Sequence, residues 1–155
     1  MALTQLGKND TVGCVAPGIH SEVTASGGAT RVLKAEESGG TFFWDAATGV
    51  TYTLPAPAVG MEFNFYATVS VTSNAHVIIT DAATTFLSGA INQIIDTSGT
   101  SEGQVGAATD VTISMNGSTT GGLIGTWIHV KCITSTLWVA RGLVVSSGTL
   151  STPFA

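Results

Sequence analysis

The chain has 155 residues, a length typical of one domain, and a net charge of −5 from 5 Lys and Arg against 10 Asp and Glu. Because 44% of the residues are apolar, the composition excludes a disordered acidic tail. The scarcity of basic residues excludes a general nucleic-acid binder, which needs a basic face to neutralise phosphates. No apolar run approaches the ~20 residues of a membrane-spanning helix, so we expect neither nucleic acid nor membrane as a partner.

Gly, Ser and Thr make up more than a third of the chain, a composition that favours strands joined by turns. The two cysteines, Cys14 and Cys132, are too few for a disulfide framework. Cys132 alternates with Ile128 and Val130, which predicts a small buried residue in a strand.

The N-terminal segment differs from the rest because residues 1–29 are rich in glycine and show no sustained hydrophobic period. We interpret residues 1–35 as an extended N-terminal arm; the alternative is an unanchored chain end. The apolar residues Val12, Val15, Ile19 and Val23 favour the arm, because their side chains would make apolar contacts with a neighbour.

From residue 30 onwards the hydrophobic period is two, as in half-buried strands. The clearest strand is 61–70, where one face carries Met61, Phe63, Phe65, Ala67 and Val69. The other predicted strands are 31–34, 41–45, 50–54, 76–80, 90–96, 110–115, 126–134 and 137–145. Residues 98–108 are predicted as a long surface loop and residues 135–136 as a hairpin tip. The pattern predicts an all-β domain over 36–155, an antiparallel β-sandwich of jelly-roll-like wrapping.

One motif resembles that of an enzyme. Residues 99–103 match G-x-S-x-G around Ser101, and Asp110 and His129 follow in the chain order of an α/β-hydrolase triad. No helical pattern follows the motif, and the elbow that activates such a serine needs one. We therefore interpret the match as chance, and we expect no catalytic activity, no metal and no cofactor.

The run Phe42-Phe43-Trp44 places bulky side chains on both faces of one strand, and only one face can cover the chain's own core. We therefore expect Phe42, Trp44 and Tyr66 to be candidates for an oligomer interface. Core packing is the simplest role for aromatic residues, and the alternative is a carbohydrate platform. The candidates for that platform are Trp44, Tyr66, Trp127 and Trp138.

Several blocks resemble a known family. SGGTFF at 38–43, GVTYTLPAP at 49–57 and GMEFNF at 60–65 are similar to a run found in small structural proteins of tailed phages, many of them head decoration or cement proteins. GTWIHV at 125–130 and LWVARG at 137–142 resemble the C-terminal blocks of the same proteins. The chain departs from the pattern in having Gly40 where lysine is usual and Thr126 where an acid is usual.

The resemblance implies a β-sandwich that oligomerises, commonly as a trimer, on the outside of an icosahedral head. The motif residues would then be structural. They would set turns, end a strand and fill the core: Gly39, Gly49, Gly60, Pro55, Phe63, Phe65, Trp127 and Trp138.

We accordingly expect a capsid decoration protein on the outer surface of the virion, a homotrimer whose partner is the major capsid protein. The arm is expected to make the shell contact. Its contact candidates are Lys8, Val12, Val15, Ile19, Arg31 and Lys34. The alternative function is a tail, fibre or adhesin module that binds carbohydrate.

Overall fold

The computed structural model describes residues 30–155, which form two β-sheets packed against each other. The strands in chain order are β1 (Thr30–Val32), β2 (Thr41–Trp44), β3 (Thr51–Thr53), β4 (Glu62–Ala67), β5 (His76–Ile79), β6 (Phe86–Ile95), β7 (Ser101–Gly106), β8 (Thr112–Met115), β9 (Trp127–Thr134) and β10 (Leu137–Ser146). One sheet has the order β1-β3-β5-β8, and the other has the order β2-β4-β9-β10-β6-β7. The prediction of an all-β fold is confirmed.

Both sheets are mixed, so the prediction of a purely antiparallel jelly roll is wrong. The pairs β1/β3, β3/β5, β2/β4 and β6/β10 run parallel, and the remaining pairs run antiparallel. The first six strands alternate between the two sheets. In three cases, β1/β3, β2/β4 and β3/β5, the chain visits the other sheet and then returns to pair in parallel with the strand that it left.

Strand β1 belongs to the four-stranded sheet, although residues 30–35 were predicted as part of the arm. Thr30 to Val32 pair with Thr51 to Thr53 of β3, and the amide of Leu33 donates to the carbonyl of Thr53 at 2.9 Å. The sheet therefore includes the residues from Thr30, and the arm residues 1–29 lie outside the described part of the chain.

The predicted loop at 98–108 contains strand β7, which pairs antiparallel with β6 at the edge of the six-stranded sheet. The sequence does not predict β7, because only Gln104 and Gly106 of this strand are buried and the strand therefore shows almost no hydrophobic period. The predicted hairpin at 135–136 is confirmed, since β9 and β10 pair antiparallel on either side of it.

The core lies between the sheets and is rich in aromatic rings. Phe65 is fully buried, and its ring centroid lies 5.7 Å from that of Phe42, 5.5 Å from Trp44 and 5.4 Å from Tyr52. The alternation predicted for β4 is confirmed, because Phe63, Phe65 and Ala67 are buried while Tyr66 is exposed.

The C-terminus covers one sheet edge. The carbonyl of Ala155 accepts from the amides of Val111 and Thr112 of the β8 segment, and the amide of Ala155 donates back to Thr112. Phe154 is buried, and its ring lies where a side chain at Gly106 would otherwise stand. The edge of β8 is thereby paired, which removes an exposed template for aggregation.

Candidate functional site

The outer face of the six-stranded sheet, the side turned away from the core, carries a row of apolar side chains. Register places Phe43 opposite Tyr66, Tyr66 opposite Trp127, and Trp127 opposite Leu143, on the adjacent strands β2, β4, β9 and β10. Tyr66 is 42% exposed and Trp127 is 38% exposed, and the rings of Phe43 and Tyr66 lie 6.4 Å apart. We call these four residues the apolar row.

The next row on the same face, two residues along each strand, is polar. Asn64, His129 and Arg141 lie opposite one another on β4, β9 and β10. Successive residues on one face of a strand are about 6.8 Å apart, which is the spacing of the two rows. The Nε of Arg141 donates to Nδ1 of His129 at 3.2 Å, so Nε2 of His129 carries the proton in the neutral tautomer.

Glu62 closes this polar cluster. Its Oε2 lies 3.4 Å from Nε2 of His129 and 3.4 Å from Nζ of Lys131. The hydrogen bond from Lys131, followed by smaller contributions from that lysine's charge and from His129, lowers the pKa of Glu62 despite partial burial. Glu62 is thus an ionised carboxylate held between two partners.

The structure corrects the predicted interface residues. Phe42 and Trp44 are fully buried in the chain's own core, so their side chains offer no surface to a partner. Tyr66 does lie on the outer face, and Phe43 takes the outward position on β2. Bulky side chains do lie on both faces of β2, as predicted. The alternation of residues along the strand does not determine which face is turned towards the core.

The four platform candidates divide in the same way. Trp44 and Trp138 are fully buried, whereas Tyr66 and Trp127 lie side by side on the outer face. Trp127, for which the family resemblance implied a core position, therefore points outward; its neighbour Ile128 occupies the core instead.

Among the predicted shell-contact residues, Lys8, Val12, Val15 and Ile19 lie outside the described residues. Arg31 is engaged by its own chain: its NH2 donates to Oε1 of Glu37, and its guanidinium lies 5.5 Å from the centre of the Phe42 ring. Lys34 has an exposed side chain, and its backbone amide donates to Oε2 of Glu37 at 2.9 Å.

The three residues of the hydrolase-like motif do not come together. Ser101 starts β7 and His129 lies in β9, three strands away, a separation of roughly 14 Å across the sheet alone. Asp110 lies just before β8 of the other sheet, and its Oδ2 accepts from the amide of Ala107 at 2.7 Å. A relay among these three side chains has no geometric basis in this fold.

Three titratable side chains of residues 30–155 are buried in the core, those of Tyr52, His76 and Cys132. His76 stacks on Trp44 with ring centroids 5.5 Å apart, and its Nε2 lies 3.1 Å from the carbonyl oxygen of Val69. Burial lowers the pKa of His76, opposed by the Val69 carbonyl and by the charge of Asp45. Burial likewise raises the pKa of the Cys132 thiol, as befits the small buried residue that the sequence predicted.

Within residues 30–155, no three His, Cys, Asp or Glu side chains gather closely enough to hold a metal ion. No helix in that part of the chain has the length and apolar character needed to cross a membrane.

Comparison with known proteins returns no relative: no family model matches the sequence, and neither a curated protein nor a solved structure matches it significantly. Function is therefore inferred from the residues of this chain and from their geometry.

Proposed function

We propose that this chain is a non-enzymatic decoration protein that binds the outside of a phage head and stabilises the shell through protein contacts. The main observation in support of this proposal is that residues on which the family resemblance rests also shape the turns and fill the core of the two-sheet fold. Gly49 has φ of +85° and stands so close to the carbonyl of Ala75 that a Cβ would lie 2.3 Å from that oxygen. Phe63, Phe65 and Trp138 fill the core.

The proposed shell contact is the arm. The described chain begins with β1, which forms one edge of the four-stranded sheet and directly follows residues 1–29 in the sequence. Lys34, next to this edge, is exposed in a chain of net charge −5 and can pair with an acidic shell surface. Many copies bound to one lattice would stabilise it through avidity even if each contact were weak. We expect the protein to act as a homotrimer.

The test uses phage heads from which this chain has been removed. Purified full-length protein should rebind the heads, sediment with them and raise the temperature at which they release their DNA. Heads that neither bind the full-length protein nor gain heat resistance would contradict the proposed function.

A variant lacking residues 2–29 should remain folded, with the circular dichroism of the full-length protein, but should no longer sediment with the heads. Sedimentation of this variant at normal occupancy would contradict the role of the arm while leaving decoration itself intact.

A further inference from the structure

We propose that the outer face of the six-stranded sheet binds an acidic saccharide, with a sugar ring against Trp127 and Tyr66 and the sugar's carboxylate against Arg141. This site is distinct from the proposed shell contact, because β1, the strand that follows the arm in the sequence, belongs to the other sheet.

The apolar row provides the stacking surface. Trp127 and Tyr66 lie directly opposite each other on neighbouring strands, so their side chains start about 5 Å apart on the same face. Both rings remain partly exposed. Aromatic rings with one face in water are suited to the C–H face of a pyranose, which is apolar, whereas the edges of the sugar carry its hydroxyls.

The polar row, Asn64, His129 and Arg141, lies within reach of the hydroxyls and the carboxylate of a sugar that is stacked on the apolar row. It is about 6.8 Å from the apolar row, somewhat more than the width of one sugar ring. The side-chain amide of Asn64 makes no hydrogen bond to any other described residue, so both its oxygen and its nitrogen are available. His129 holds Arg141 through Nε, which leaves the two terminal guanidinium nitrogens of Arg141 to form a two-pronged pair with a carboxylate.

The charge of this face selects an acidic ligand over a neutral one. The whole chain has only 5 Lys and Arg, and two of them, Lys131 and Arg141, lie on this face. The one acid in the cluster, Glu62, is already placed between His129 and Lys131. The face is therefore locally basic on a protein of net charge −5, and it attracts an anion that the rest of the surface repels.

The experiment is saturation-transfer NMR on the full-length protein, with sialyllactose and digalacturonate as acidic probes and lactose and chitobiose as neutral ones. At least one acidic probe should bind at millimolar concentration, with the strongest transfer at protons of its ring, and the neutral probes should bind at least tenfold more weakly. Equal binding of acidic and neutral probes, or no binding of either acidic probe, would overturn the proposal.

Two variants assign the site. Trp127→Ala should abolish the transfer, and Arg141→Gln should remove the preference for the acidic probe while leaving residual stacking. The control is Val32→Ala, which trims an exposed apolar residue on β1 of the other sheet and should leave binding unchanged. Circular dichroism checks that each variant is folded.

Sedimentation velocity tests the alternative that this face binds a second copy of the chain rather than a saccharide. If Trp127→Ala converts a stable oligomer into a monomer, the face is a subunit interface and the saccharide proposal fails. A failure of head binding leaves this proposal unaffected, because saccharide binding is measured on the isolated protein.

Discussion

Replacing Phe65 with alanine should cost the fold about 3–5 kcal/mol, the usual penalty for removing a fully buried phenyl ring. Phe65 is 0% exposed, and three aromatic rings lie within 5.7 Å of its centroid, between the two sheets. These neighbours belong to strands β2 and β3, which lie in different sheets, so the cavity cannot be closed by moving one loop. For a chain of this length the loss corresponds to a fall in Tm of roughly 10 °C or more.

The assay is urea unfolding followed by tryptophan fluorescence, with Tyr66→Ala as the matched control on the next position of the same strand. Because Tyr66 is 42% exposed on the outer face, its removal should cost less than about 1 kcal/mol. Equal losses for the two variants, or a loss below about 1 kcal/mol for Phe65→Ala, would refute the assignment of the two faces of β4.

Three further predictions concern other parts of the fold. Burial lowers the pKa of His76 below 6.5, so the unfolded chain binds a proton at this side chain more readily than the folded chain does. The free energy of unfolding should therefore fall as pH drops below 6.5. A free energy of unfolding that stays constant from pH 8 to pH 5 would contradict this. Phe154→Ala should cost about 3 kcal/mol and speed amide exchange at Thr112, since it loosens the C-terminal segment that pairs with β8; unchanged exchange would show that the segment does not depend on the ring. Gly89→Ala should cost about 2 kcal/mol or more, because φ is +130° and the new Cβ would lie 2.0 Å from the carbonyl oxygen of Ala140; a soluble variant of native Tm would refute that close approach.

Strand positions were predictable from the sequence because a half-buried strand shows its period directly. In β4, the residues Phe63, Phe65 and Ala67 alternate with polar neighbours, and the structure buries that set. Strand direction was not predictable, because the alternation of a strand is the same whether its neighbour runs parallel or antiparallel. The parallel pair β2/β4 results from a chain that visits the other sheet in between, which no local pattern records.

The candidate site was predictable only in part. The sequence indicated that aromatic residues would be exposed, but Phe42 and Phe43 are chemically identical and adjacent, and only the register of β2 decides which one faces water. The polar row was missed because Asn64, His129 and Arg141 are far apart in the chain and meet only through the pairing of three strands. The sequence places His129 in the chain order of a hydrolase triad, whereas its partners in the fold are Arg141 and Glu62.

An electron cryomicroscopy map of the phage particle that carries this chain tests the proposed function most directly. We expect two-sheet density at symmetric positions on the outside of the head, with the edge of β1 turned towards the shell and the outer face of the six-stranded sheet turned towards solvent. Density for this chain confined to the tail or fibres, or its absence from the particle, would contradict the proposal.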